Sequence, residues 1–320
     1  MPAVEHLDEL HGLPVFAFPA AGDEVGELPE PGAVAWRLSV DPYEDGGAAE
    51  PYGKLWQRFL ATVDPAGVRA LVVGEWGEVS EEDSGEAVRL LAEANGLLTG
   101  LLAVFVGDIV DDEAAISWIA QSDLTPLLTA YPGLRELGAR GGTDLALGPV
   151  RHEFLRTLAV EAGGLPADVV RAIGASDLPA LEYLELWLGV DEFGGDATVA
   201  DLDPLLTGER LPALRHLGLR NSAIQDGIAA ALATAPVVAR LASLDLSLGT
   251  LGDEGAEALL AGQPLTHLSW LDLHHHFIGE DASRRIREAL EPSGVEVDLD
   301  ERMRECVEGD ELHRYTAVDE

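Results

Sequence analysis

The most regular feature of the chain is a recurring phrase in which leucines stand at positions one, four and six. Four copies are clear: Leu181, Leu184 and Leu186; Leu214, Leu217 and Leu219; Leu241, Leu244 and Leu246; Leu268, Leu271 and Leu273. Taking the last apolar residue of each phrase as a register mark, and extending through weaker copies, gives Val40, Val73, Val106, Ala139, Val160, Leu186, Leu219, Leu246, Leu273 and Leu299. Successive marks lie 21 to 33 residues apart, with a mean near 29. Within a phrase the apolar residues alternate with period two, which predicts a short strand. Helical spacing follows most of them. Leu55, Phe59 and Val63 share a face after the first mark, and Ala87, Leu90, Leu91 and Ala94 do so after the second. Asp253 is placed to cap a helix carrying Ala256, Leu259 and Leu260, which Gly262 ends. The shortest step, Ala139 to Val160, holds Gly141, Gly142, Gly148 and Pro149 and is expected to have no helix.

A unit of strand, turn, helix and return cannot bury its own apolar face, so neighbouring units must stack. The period is that of a long leucine-rich repeat. The predicted fold is therefore α/β, a leucine-rich-repeat solenoid or horseshoe of about ten repeats, with a parallel sheet on the concave face and helices on the convex face. Residues 34–300 form the repeat domain. Residues 1–33, with Pro14, Pro19, Pro29 and Pro31, are an N-terminal cap, and residues 301–320 are a C-terminal cap or tail. The Gly- and acid-rich run from Asp41 to Pro51 reads as an exposed loop.

Because side chains alternate along a strand, the residues three before, one before and one after each mark project from the sheet away from the helices. Over the last five units these are Tyr183, Glu185, Trp187; His216, Gly218, Arg220; Ser243, Asp245, Ser247; Trp270, Asp272, His274; and Glu296, Asp298, Asp300. Tyr183, Trp187 and Trp270 are candidate aromatic anchors. Glu185, Asp245, Asp272 and Asp298 form an acidic row that calls for a cationic partner, an ion, or compensation by Arg220. With His216 and His274, these residues make the candidate partner-binding surface. In the first half the equivalent positions are Ala70, Val72, Gly74, Ala103, Phe105 and Gly107, an apolar strip expected to be covered by the chain's own N-terminal segment. The loops leaving the strands add Glu75, Trp76, Asp108, Asp111 and Asp112, and then the excursion from Gly189 to Asp201 with Phe193, and predict an acidic rim.

Composition sharpens this picture. The chain has 20 Lys plus Arg against 58 Asp plus Glu in 320 residues, a formal charge of −38, with Lys54 its only lysine. That excludes ordinary nucleic-acid binding, which needs a basic stripe, and disfavours an anionic membrane surface. It favours a basic partner, although coding bias or a saline cytoplasm explains the same excess. The hydrophobic fraction of 47% supplies a core. One cysteine, Cys306, and an acidic N-terminus without a secretory signal point to the cytoplasm.

Mechanism-bearing motifs are near misses. His152-Glu153 begins a zinc-protease helix signature, but Arg156 stands where the second His must be. Gly53-Lys54 lacks the rest of a phosphate loop. The triple His274-His275-His276 invites a metal. On an extended strand Asp272, His274 and His276 share a face, and Asp245 holds the equivalent of Asp272 one strand over, so Asp245, Asp272 and His274 are the candidate ligands.

Several phrases also carry a resemblance: residues 182–189, 214–221, Leu244-Asp245-Leu246-Ser247 with Asp253-Glu254-Gly255, and residues 271–276. Together they resemble an uncharacterised bacterial family of leucine-rich-repeat proteins, and the C-terminal units resemble the ribonuclease-inhibitor-like class. The second likeness implies protein binding on the concave surface. The chain departs from that class in lacking its asparagine three places after the mark, where Trp76, Ile109, Gly163, Gly189, Ser222, Gly249 and His276 stand. The expected function is thus a non-enzymatic module, without a cofactor, that binds a protein or peptide, with a metal-dependent hydrolase built on Asp245, Asp272, His216 and His274 as the alternative.

Overall fold

Alternating apolar residues pair side by side into one sheet. The computed structural model describes residues 4–23, 26–42, 50–308 and 311–318. Twelve strands form the sheet: β1 Glu9–Leu10, β2 Leu13–Ala17, β3 Ala35–Leu38, β4 Ala70–Val73, β5 Ala103–Val106, β6 Glu136–Arg140, β7 Thr157–Glu161, β8 Tyr183–Gly189, β9 His216–Ser222, β10 Ser243–Asp245, β11 Trp270–Asp272 and β12 Glu296–Asp298. They lie in sequential order, each bonded to the next along the chain. The pairing is parallel throughout except for β1 on β2, which is antiparallel. From β2 onward each strand pairs with the next only after an intervening excursion, the connectivity that a solenoid has.

Among the described residues there are eight α-helices, and their apolar sides share one core with the sheet. Helix Tyr52–Thr62 buries Leu55 and Phe59, with Val63 just beyond, and helix Gly85–Glu93 buries Ala87 and Leu91. The connection from β6 to β7 has no helix. Helix Asp253–Ala261 ends at Gly262, but Asp253 does not cap it, because the cap position is Gly252. The Asp253 carboxylate instead accepts from the backbone N–H of Gly279, the cap of the next helix, at 2.6 Å. Asp226 does the same one unit earlier, accepting from Gly252 and Gly255. Acids at helix starts thus tie the last three helices in series and meet the positive end of the next helix dipole.

The first register mark moves. Leu38, not Val40, pairs with Val73. Trp36, Leu38 and Val40 all point inward and are all buried, so alternation alone leaves the register free to slip by two residues. The segment expected as an N-terminal cap is also part of the sheet, since it supplies β1 and β2. Beyond β12 a hairpin, β13 Cys306–Glu308 with β14 Glu311–His313, turns the chain back. Ala317 then donates to the Leu248 carbonyl, and Val318 exchanges hydrogen bonds with the Asn221 side chain. Most of the predicted loop, residues 43–49, lies outside the described residues. No helix among the described residues is long and apolar enough to cross a membrane.

Candidate functional site

The strand ends decide where the candidate residues point. In the last three units the aspartate before the mark accepts a hydrogen bond from the backbone N–H of the residue after it: Asp245 from Ser247, Asp272 from His274 and Asp298 from Asp300, each at 2.9 Å. One residue further on, the chain turns through positive φ, at Asn221, Leu248, His275 and Glu301. The acidic row therefore has a local reason, since one oxygen of each of these aspartates closes the strand.

The turn also separates the three histidines. His274 stays on the helix-free face and bonds to Asp272 through Nδ1 at 2.7 Å. His275, at φ 53°, packs edge-on against Phe277 and Tyr315. His276 enters the interior, where its Nδ1 accepts from Ile278 and its Nε2 donates to the Leu299 carbonyl. That is a hydrogen-bonding bridge between units, at the very position where the usual asparagine is missing. His152 is buried in a similar way, donating to the Tyr131 carbonyl and accepting from Leu155.

Register places the candidate surface residues in rows. Glu185, Gly218, Asp245, Asp272 and Asp298 lie directly beside one another across β8 to β12. Contrary to the expected open surface, much of this constellation is packed on itself. Glu185, Trp187, His216, Asp245 and Asp272 are buried, while Tyr183, Arg220, Trp270, His274 and Asp298 are half-buried. Arg220 is the reason. It bonds to Glu185 at 2.8 Å, reaches Asp245 at 3.2 Å and lies over the Trp187 ring at 5.2 Å. Glu185 also accepts from the Trp187 indole N–H at 2.9 Å and from the Tyr183 hydroxyl. Trp187 is accordingly a core residue and not an exposed anchor.

The electrostatics follow from that packing. Burial pushes the Glu185 carboxyl up, but Arg220, Tyr183 and Trp187 outweigh it and hold the group below its ordinary value. Burial raises Asp245 to about 6, with Arg220 opposing and Asp272 adding to the rise. Burial pulls His216 down to about 4, so it is neutral at pH 7. Its ring stacks on Tyr183 at 4.0 Å and bonds to Ser243 at 2.8 Å. Trp270 lies beyond, 6.4 Å from His216, which leaves Tyr183 and Trp270 as the accessible aromatics. His274 is raised by its bond to Asp272.

The proposed metal ligands regroup. Asp245 is engaged by Arg220, and the residues that converge are Asp272, His274 and Asp298, which offer one ligand atom each, all within 4.8 Å of one another.

The apolar first half is covered from within. Leu7, Leu10, Leu13 and Val15 pack over Ala35, Ala70, Val72, Ala103 and Phe105. The cover is latched by Asp108, which is fully buried and not part of an exposed rim. It accepts from the Leu7 N–H at 2.9 Å and from Arg37 at 2.8 Å. Arg140 extends the latch, donating to the Ile109 and Glu5 carbonyls and to Glu161. Asp111 and Asp112 remain exposed.

Between the covered half and the packed half lies a cleft of about 340 Å³. Gly138 and Ala159 stand side by side in the same row as Phe105 and Glu185; the Phe105 ring lies over Gly138, where an added Cβ would collide with it, and the small Ala159 leaves the next place in the row open. Leu7, Leu10 and Phe105 wall it on one side, and Tyr183 and Glu185 on the other, with Glu9, Glu136 and Glu161 at its edges. His11 meets Glu136 at 3.1 Å. This cleft was missed in the sequence. Extending the surface readout to the units marked by Ala139 and Val160 reveals its floor.

No protein-family model matches the chain, and no curated protein matches it. Among solved structures, the crystal structure of a protein from Bacteroides fragilis is similar, with a TM-score of 0.72 and 29% identity over 78% of this chain and 70% of that one.

Proposed function

We propose that the chain is a leucine-rich-repeat recognition module that binds a basic, partly apolar segment of a partner protein on its concave face. The observation that carries this reading is the cleft, where an apolar wall of Leu7, Leu10 and Phe105 faces Tyr183 across a floor of small residues, with four glutamates around it. Arg140 and Arg220 neutralise Glu161 and Glu185. Among the described residues Glu136 pairs with His11 alone, and no cation pairs with Glu9. The lining is therefore net negative around an apolar slot, which suits a lysine or arginine beside an aliphatic or aromatic residue. Trp270, His274 and Asp298 extend the same face toward the last strands. The acid excess of the whole chain adds long-range steering, which salt weakens.

The test is a selection of displayed peptides on the full chain, followed by affinity measurements on Ala159→Arg and Tyr183→Ala. Ala159 is half-buried, so an arginine there fills the slot and offsets part of its negative charge without entering the core. Selected peptides should pair a basic residue with an apolar one and lose at least about tenfold in affinity for Ala159→Arg, equivalent to about 1.4 kcal/mol. Peptides without basic residues, or equal binding to the folded variant, would refute the reading.

A further inference from the structure

The acidic row is compensated unevenly. At Glu185 and Asp245 a guanidinium, that of Arg220, sits between the carboxylates. At Asp272 and Asp298, directly opposed across β11 and β12, no Arg or Lys lies within ion-pair distance among the described residues, and His274 is the one basic group at hand. The strand-closing hydrogen bonds use only Oδ1 of each aspartate. Oδ2 of Asp272 and Oδ2 of Asp298 receive none from the described residues, although Asp272 is only 4% exposed. Neither Oδ2 is enclosed, so a ligand can reach both, and a positive charge there would relieve the repulsion between the two neighbouring carboxylates.

We propose that Asp272, His274 and Asp298 bind a divalent transition-metal ion of the zinc type. One nitrogen and two carboxylate oxygens are a ligand set such an ion accepts. The three ligand atoms lie within 4.8 Å of one another, and a tetrahedral ion at ordinary Zn–N and Zn–O lengths sets them about 3.4 Å apart. Side-chain rotation of His274 and Asp298 closes that gap on binding. His274 and Asp298 are half-buried, so the site opens to solvent and its remaining coordination positions are free for water or for a donor group of another molecule. Asp245 takes no part, because Arg220 holds its second oxygen. The ligands come from a strand, the turn after it and the neighbouring strand, so the sheet register sets their spacing. This inference stands apart from the peptide-binding cleft, and either can fail without the other.

The experiment uses the full chain, stripped with a chelator and titrated with Zn²⁺ alone in physiological salt by isothermal calorimetry, with Mg²⁺ as the comparison ion. We expect one Zn²⁺ per chain, bound at least about tenfold more tightly than Mg²⁺, and a rise in Tm on binding. Asp298→Asn and His274→Ala should each lose at least about tenfold in Zn²⁺ affinity, and Asp245→Asn should keep it. Circular dichroism of each stripped variant verifies the fold. X-ray absorption at the zinc edge of the wild type is independent of the variants, and should show one imidazole among oxygen ligands. Absence of stoichiometric binding, affinity unchanged in both Asp298→Asn and His274→Ala, or two or more imidazoles at the ion would overturn the site. The last outcome would mean adventitious binding by other histidines.

Discussion

The helix-free face of the sheet is built twice on the same register, and its two halves solve the same problem in opposite ways. Across β3 to β5 the projecting residues are mostly small or apolar, and the chain lays its own N-terminal segment over them. Across β8 to β12 they are aromatic and charged, and Arg220 and His216 draw them into a closely packed layer, in which, among the buried polar atoms of these side chains, only the His216 Nε2 goes without a hydrogen bond. In the first half polar groups serve as the latch, with Asp108 between Arg37 and Arg140, while in the second they are the surface itself. The lesson is that a row of like charges on a sheet is not by itself a vacancy for a partner. One well-placed guanidinium removes most of the need, and what remains open is where compensation stops: at the small-residue cleft between the halves and at the last two strands.

Breaking the latch should have the largest effect. Asp108→Ala leaves Arg37 and the buried Arg140 short of a carboxylate and should cost about 4 kcal/mol in urea unfolding, with faster amide exchange at Leu7. If exchange rises with no loss of global stability, the cover is a detachable strap and not part of the core. On the other side, Trp187→Ala should cost about 3 kcal/mol, since its ring is buried under Arg220 and its indole bonds to Glu185. A variant of wild-type stability that has lost binding would return Trp187 to the role of an exposed anchor.

Within the packed half, two groups should respond to pH in opposite ways. Asp245, raised to about 6, is charged at pH 7 at a cost to the fold, and that cost vanishes as acid protonates it. His216, lowered to about 4, works the other way, because the unfolded chain takes up its proton between about pH 6.5 and 4 while the folded chain does not. Each displacement corresponds to roughly 3 kcal/mol, and the two oppose each other over the same interval. Relative to wild type, Asp245→Asn should therefore lose stability on going from pH 7 to pH 4, and His216→Gln should gain it. Chemical denaturation at both pH values checks the signs, and shifts of the same sign in both variants would refute the assignment. The smallest effect belongs to the pair of half-buried His274 with Asp272. His274 is raised by Asp272, so its charged form stabilises the fold at low pH and that contribution fades as pH rises through its folded value. His274→Asn should cost less than about 1 kcal/mol at pH 6 and less still at pH 8, and NMR titration of the imidazole should find it protonated to higher pH than an ordinary histidine.

Much of the fold was legible because burial repeats. Leu184, Leu217, Leu244 and Leu271 are aligned by register and all fully or nearly buried, and a period of about 29 residues with alternating leucines leaves few other ways to hide them. The helix-free connection after β6 was readable from its glycines and its length, and the internal cover from the apolar strip it had to hide. Alternation has no power to set a register where several successive inward positions are apolar, which is why the spacing points to Val40 where the strand pairs through Leu38. It also cannot tell whether an outward side chain meets solvent or a neighbour.

By itself, then, the sequence determined what depends on one residue and its own spacing: strand positions, the layer of helices, the two faces and the row of acids. Tertiary structure decided what depends on two residues far apart in the chain. Asp108 meets Arg37 across 71 positions, and Asn221 meets Val318 across 97. A pattern of hydrophobicity records how far each residue avoids water, not which distant charge it meets. The reach of Arg220, the turn at His275 that sends His276 inward, and the gap above Ala159 exist only once the strands lie side by side.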